Sequence, residues 1–181
     1  MRIVWSVLGV ASVAVLLSGC LPPQPVLAPT PEPTSTPIFA SDEEALAAAE
    51  VAYGAYVKLS DQIFMEGGVD PERLATVATG TFLAASITSF KTVQSQHLRS
   101  SGGTTFDSVD LQKFDGASAD SSVVVVYLCE DVSAVDVTDA GGASVVAPNR
   151  PSRTRLVVTF DFAGSLLVSS REPWNIGDTT C

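Results

Sequence analysis

A chain of 181 residues with 20 acidic against 10 basic side chains carries a formal charge of −10. That balance neutralises no phosphate backbone, which excludes nucleic acid as a partner, and it offers no polybasic grip on anionic lipid. The length suits one domain plus a tail, and such a domain buries a real core without a metal or a dense disulfide framework.

The chain opens with a short positive region, Arg2 and the free N-terminus. Residues 3–17 form an apolar run of 15 residues. A transmembrane helix needs about 20, so the run reads as the core of a signal peptide. It closes on Leu17-Ser18-Gly19-Cys20. This segment resembles the lipobox of bacterial lipoproteins, in which an aliphatic residue and two small residues precede a cysteine. The resemblance implies diacylglyceryl transfer to the Cys20 thiol, cleavage before it, and a mature chain held at the outer face of a bacterial cytoplasmic membrane. The chemistry agrees, since small residues let a peptidase reach the bond and a thiolate is nucleophilic enough to take the lipid. Two acyl chains anchor stably where one is marginal. The alternatives are an ordinary signal peptide with an incidental cysteine, or an uncleaved anchor. Cleavage after residue 19 leaves 162 residues with nine basic side chains against 20 acidic, so the lipid is the expected membrane-binding device.

Residues 21–37 hold seven of the eleven prolines, with Thr30, Thr34, Ser35 and Thr36 among them. Proline at this density blocks helix and sheet and favours polyproline II. Such a segment reaches about 50 Å at about 3.1 Å per residue, enough to lift a domain off a membrane. Glycosylation of its hydroxyls, or recognition by a proline-binding partner, is the sharper reading. The chain therefore divides into a signal peptide (1–19), a lipidated cysteine with its linker (20–40) and one globular domain (41–181).

Ser41-Asp42-Glu43-Glu44 is a capping box, and a helix is predicted over 42–64, with Leu46, Ala49, Tyr53, Tyr56, Ile63 and Phe64 facing the core. Gly67-Gly68 stops it. Asp70-Pro71-Glu72 predicts a second, short helix to residue 78, with Asp70 as N-cap. A third is predicted over 81–99, with the inward stripe Phe82, Leu83, Ser86, Ile87, Phe90, Val93 and His97.

After Gly103 the period changes. Residues 104–114 are strand-like, though their alternation is uneven. Residues 122–132 contain a β-branched run suited to a central strand that continues, bent, to Thr138. Asp139-Ala140-Gly141-Gly142 predicts a turn and 143–147 a short strand. From Arg153 the alternation is clean: Leu156, Val158, Phe160 and Phe162 on one face, Arg155, Val157, Thr159 and Asp161 on the other. Ala163-Gly164 turns the chain into a last strand, 166–170, before a tail containing Trp174.

Helices followed by an antiparallel sheet give an α+β class, with four to five curved strands against the N-terminal helices. The lipobox, the Pro/Thr linker, the helix around Ala52-Tyr53-Gly54-Ala55-Tyr56, the strand Val126-Tyr127-Leu128-Cys129 and the closing Arg155-Leu156-Val157-Val158, Trp174 and Cys181 carry a second resemblance. Together they resemble small actinobacterial lipoproteins with a nuclear transport factor 2-like cone. A two-layer α/β sandwich is the alternative.

With Cys20 lipidated, Cys129 and Cys181 remain. An even pair in an oxidising compartment predicts a disulfide that ties the tail to the central strand. A redox or nucleophilic thiol is the other reading, but the pair is not Cys-x-x-Cys.

No motif announces catalysis, a cofactor or a metal. The single histidine, His97, reads as structural near a helix end, or as a general base lining a pocket. Glu130 and Asp131 point to opposite faces of a strand and, with Asp136 and Asp139, read as a solvated edge and turn. Arg150, Arg153 and Arg155 form the basic cluster, either pairing with carboxylates across the sheet or forming an anion site. Tyr53, Tyr56, His97, Tyr127 and Trp174 are candidate pocket-lining residues, with ordinary core as the plainer reading. The leading expectation is a non-catalytic domain binding an envelope protein or small ligand. A pocket enzyme similar to ketosteroid isomerase, built on Tyr53, His97 and Asp110 or Asp161, is the alternative. A structural accessory subunit of an envelope complex is a third.

Overall fold

The computed structural model describes residues 38–115, 123–174 and 181. The lipobox with Cys20 and the proline-rich linker therefore lie outside the described residues.

Helix α1 spans Asp42–Met65. The Ser41 hydroxyl accepts from the Glu44 amide at 3.3 Å, and the Glu44 carboxylate accepts from the Ala40 amide at 2.7 Å. The capping box thus forms, with its return arm one residue earlier than the motif prescribes. Ala49, Tyr53 and Ile63 are buried as predicted, and Ala45 and Val57 join them. At the other end the Gly67 amide donates to the Phe64 carbonyl and the Gly68 amide to that of Ile63, the paired bonds that close a helix on a left-handed residue. Gly68 has φ 80°, and a Cβ there would collide with the Phe90 carbonyl of the neighbouring helix.

The second helix departs from expectation. Pro71–Thr76 is a 3-10 helix, and Asp70 does not cap it with its side chain but sits at φ 48°. The predicted continuation to residue 78 is diverted. The Val77 carbonyl accepts from Val168 at 3.0 Å and the Thr79 amide donates back to Val168 at 2.9 Å, a short parallel bridge to the sheet.

Helix α2 spans Gly80–Ser95, shorter than the predicted 81–99. Phe82, Leu83, Ser86, Ile87, Phe90 and Val93 form the predicted stripe, all half-buried. His97 does not belong to it. It lies beyond the helix at φ 55°, exposed, with its amide on Gln94 and the Leu98 amide on Val93. Here His97 takes the left-handed helix-stop position more often given to glycine, and the chain leaves at once into a strand.

That strand, β1 (Arg99–Ser101), is followed by β2 (Thr105–Asp115), β3 (Val123–Asp131), β4 (Asp136–Thr138), β5 (Arg153–Phe162) and β6 (Leu166–Pro173). The main sheet is antiparallel in the order β2-β3-β5-β6, and β1 pairs with β4 in a separate two-stranded sheet. The expected bent continuation of β3 to Thr138 is therefore broken. Asp131 turns the chain by accepting from the Ser133 amide at 2.8 Å, and β4 finds a different partner. The predicted strand at 143–147 reduces to one bridge, Thr138 to Ser144, because Asp139 gathers the Gly141 and Ala143 amides into a turn.

The fold is α+β, with helices packed on one face of a curved four-stranded sheet. Val124, Val126 and Leu128 of β3, Leu156, Val158 and Phe160 of β5, and Leu166 and Val168 of β6 meet Ala45, Ala49, Tyr53 and Val57 of α1 in one core. Each large side chain buried there contributes about 1.5–3 kcal/mol by transfer from water. The opposite face carries Tyr127, Cys129, Arg155, Val157, Thr159 and Asp161, as the alternation of β3 and β5 requires.

Candidate functional site

The predicted pocket-lining residues do not share one cavity. Tyr53 and Tyr56 lie under α1 in the core layer, Tyr127 and Trp174 lie on the far face of the sheet, and His97 is exposed at the end of α2. Asp161 faces away from Tyr53 across the sheet, as does Asp110, which registers with Tyr127. The parts of the isomerase-like alternative are not assembled.

The core layer instead holds a closed polar cluster. Tyr53 is fully buried, and its hydroxyl donates to Glu130 Oε2 at 2.6 Å. Arg171 Nε lies 3.2 Å from the Tyr53 hydroxyl and 3.3 Å from Glu130 Oε2, while its Nη2 pairs with Glu130 Oε1. The expectation that Glu130 is a solvated strand residue fails: it is 7% exposed. It shares the inward face of β3 with Val126 and Leu128, and burial there demands a partner. That partner, Arg171, had no sequence signal. A bulge between Thr159 and Phe160 shifts the β5–β6 register, so that Arg171 opposes Val158 and turns toward the helices. Burial raises the Tyr53 hydroxyl far above its ordinary value, with Glu130 adding to the rise and Arg171 opposing it. Burial also raises Tyr56. For Arg171 burial opposes the charge, but Tyr53 and Glu130 outweigh it and hold the guanidinium above its ordinary range. Each polar group in this cluster is already engaged with another, so the arrangement holds α1, β3 and β6 together.

On the far face, Cys129 and Cys181 form the predicted disulfide, with sulfurs 2.15 Å and Cα atoms 5.9 Å apart. Trp174 meets Tyr127 edge-on, with centroids 4.1 Å apart. A hollow of about 240 Å³ remains between them, bordered by Ser108, Asp110 and Arg155. Of the basic cluster, Arg153 bridges Asp107 at 2.8 Å and Asp131 at 3.1 Å. The pairing expected across the sheet is thus present for Arg153. Arg150 instead donates to the Val132 and Val135 carbonyls at 2.9 and 2.7 Å and fixes the loop between β3 and β4.

An open apolar groove lies elsewhere, along the flank of α1. It has a volume of about 670 Å³ and runs between Ala48, Val51 and Ala52 of α1 and a wall of Val77, Phe162 and Leu166. Phe39 closes part of it, packing edge-on against Phe114 and Phe162 at 5.5 and 6.4 Å. Val51 is 75% exposed in this groove. The size falls within the ordinary range of ligand pockets, about 300–1,000 Å³. The helical period placed Tyr53 and Ala49 inward correctly, but it leaves Ala47, Ala48, Val51, Ala52 and Ala55 on the outer flank. That excess of apolar residues on a solvent face was the sequence signal for the groove.

Among the described residues, no three His, Cys, Asp or Glu side chains converge as metal ligands, and no helix is long and apolar enough to cross a membrane.

No protein-family profile and no curated protein matches the sequence. Among solved structures the chain is similar to the crystal structure of the intermembrane space region of the chloroplast protein ARC6, with a TM-score of 0.52 and 13% identity over 71% of this chain and 95% of that one. At that identity the likeness is one of fold.

Proposed function

We propose that the chain is an extracytoplasmic lipoprotein, anchored through diacylglyceryl on Cys20, whose domain is a non-catalytic binding module of the cell envelope. The open apolar groove beside α1 is the observation that carries this reading. A contiguous apolar concavity on an acidic domain is costly to leave exposed and gains by being covered. The mutual engagement of Tyr53, Glu130 and Arg171, and the separation of His97 and Asp110 from them, support binding over chemistry. The lipobox and the proline-rich spacer support display at a membrane surface, and the helix-then-sheet order supports kinship with nuclear transport factor 2-like lipoproteins.

The test is site-specific photocrosslinking of the full chain in bacteria that process it. A diazirine amino acid at position 51 is expected to give a discrete adduct, and the same group at Thr159, on the far face, to give none. Absence of any adduct at position 51 contradicts the binding-module reading.

A further inference from the structure

The groove has an uneven distribution of charge, and this narrows what it takes if the binding-module reading holds. Helix α1 places Asp42, Glu43, Glu44 and Glu50 within its first nine residues, all of them exposed, and Lys58 is its one cation. Glu44 lines the groove itself. At about 100° per residue, Glu43 and Glu50 stand about 40° and 60° round the helix from the lining residue Ala47. The opposite wall, Val77, Phe162 and Leu166, is uncharged. Arg73, within the 3-10 helix, and Lys91 of α2 are already paired with Glu66 and Glu72. The result is an apolar floor with an acidic rim on one side.

We infer that the groove takes an apolar polypeptide segment of an envelope protein bordered by Lys or Arg residues. Covering the floor supplies desolvation energy, at about 25 cal/mol per Å². The rim supplies approach and register, because cations flanking an apolar segment meet Glu43, Glu44 and Glu50. Charge selects against the other occupants. An anionic phospholipid or a fatty-acid carboxylate brings like charge to the rim. A second copy of this chain, itself strongly acidic, brings the same acidic rim against its own.

The experiment extends the crosslink at position 51 of the full chain in bacteria, sequencing the adduct by mass spectrometry. The expected adduct is a peptide whose apolar run is bordered by at least two Lys or Arg residues. The double variant Glu43→Lys/Glu50→Lys is expected to cut its yield at least about fivefold, by rim-charge effects on association. Its Tm is expected to stay within about 2 °C of the parent, as exposed positions allow. A lipid adduct, an adduct on residues 38–181 of another copy, or a yield indifferent to charge reversal overturns this inference and leaves the binding module standing. No adduct at position 51 overturns both.

Discussion

Tyr53, Glu130 and Arg171 show how a polar cluster becomes part of a core. A carboxylate with 7% exposure is tolerable because a hydroxyl and a guanidinium saturate it. Removing one partner leaves the others buried without compensation. Arg171→Met is therefore expected to cost about 3 kcal/mol in urea unfolding, whereas the combined Tyr53→Phe/Glu130→Met/Arg171→Met variant recovers most of that loss. A triple variant as unstable as the single one would contradict this account. The tyrosines give a second prediction. Burial raises Tyr53 and Tyr56 above the ordinary 10.0, so the unfolded chain loses those protons first. Stability is then full below about pH 10 and falls as pH rises beyond it. In a Tyr127→Phe background, absorbance at 295 nm is expected to report tyrosinate only as far-UV circular dichroism collapses. Ionisation within a folded chain would refute the burial argument. Of this cluster the sequence made Tyr53 legible through helical spacing. Glu130 looked like a solvated residue because charge usually marks exposure, and Arg171 was hidden because a bulge is not written in strand alternation.

The elements were legible where a periodic pattern met a strong stop. Ser41 and Gly67-Gly68 fix both ends of α1, and the six half-buried residues of α2 follow helical spacing. Legibility failed where tertiary pairing overrode local preference. Val77 and Thr79 leave the helical path to bond Val168, and His97 ends α2 so that β1 can pair with β4. Neither β1 nor β4 exceeds three residues, too short for alternation to register. The tail is held by chemistry rather than by pattern. Cys181 ties it to β3 across a sequence separation of 52, and the chain-entropy model assigns such a loop about 4 kcal/mol. Cys129→Ser/Cys181→Ser is expected to lower unfolding stability by about that amount. A loss below about 1 kcal/mol would mean that the tail is held by Trp174 on Tyr127 and its other contacts.

At the scale of the whole molecule, the sheet separates two environments. On the helix side Tyr53, Phe160 and Leu128 are buried in the core. On the far side Trp174 packs against Tyr127 and Cys181 is bonded to Cys129. The apolar groove beside Val51 is set on the surface of an acidic domain, and the proposed lipid and spacer would display it at a membrane. Fold class was readable because helices preceded strands in long runs. The groove was legible only in its α1 flank, because its opposite wall comes from the segment after the 3-10 helix and the β5–β6 hairpin, which only the packed fold brings together. The anchor is the claim on which this account turns, and intact-mass analysis of the protein extracted from membranes of the producing bacterium tests it most directly. The account predicts a chain that begins at Cys20 and carries a diacylglyceryl group, lost together with membrane association in Cys20→Ala. A chain cleaved without lipid, or one retaining Met1 to Gly19, would contradict it.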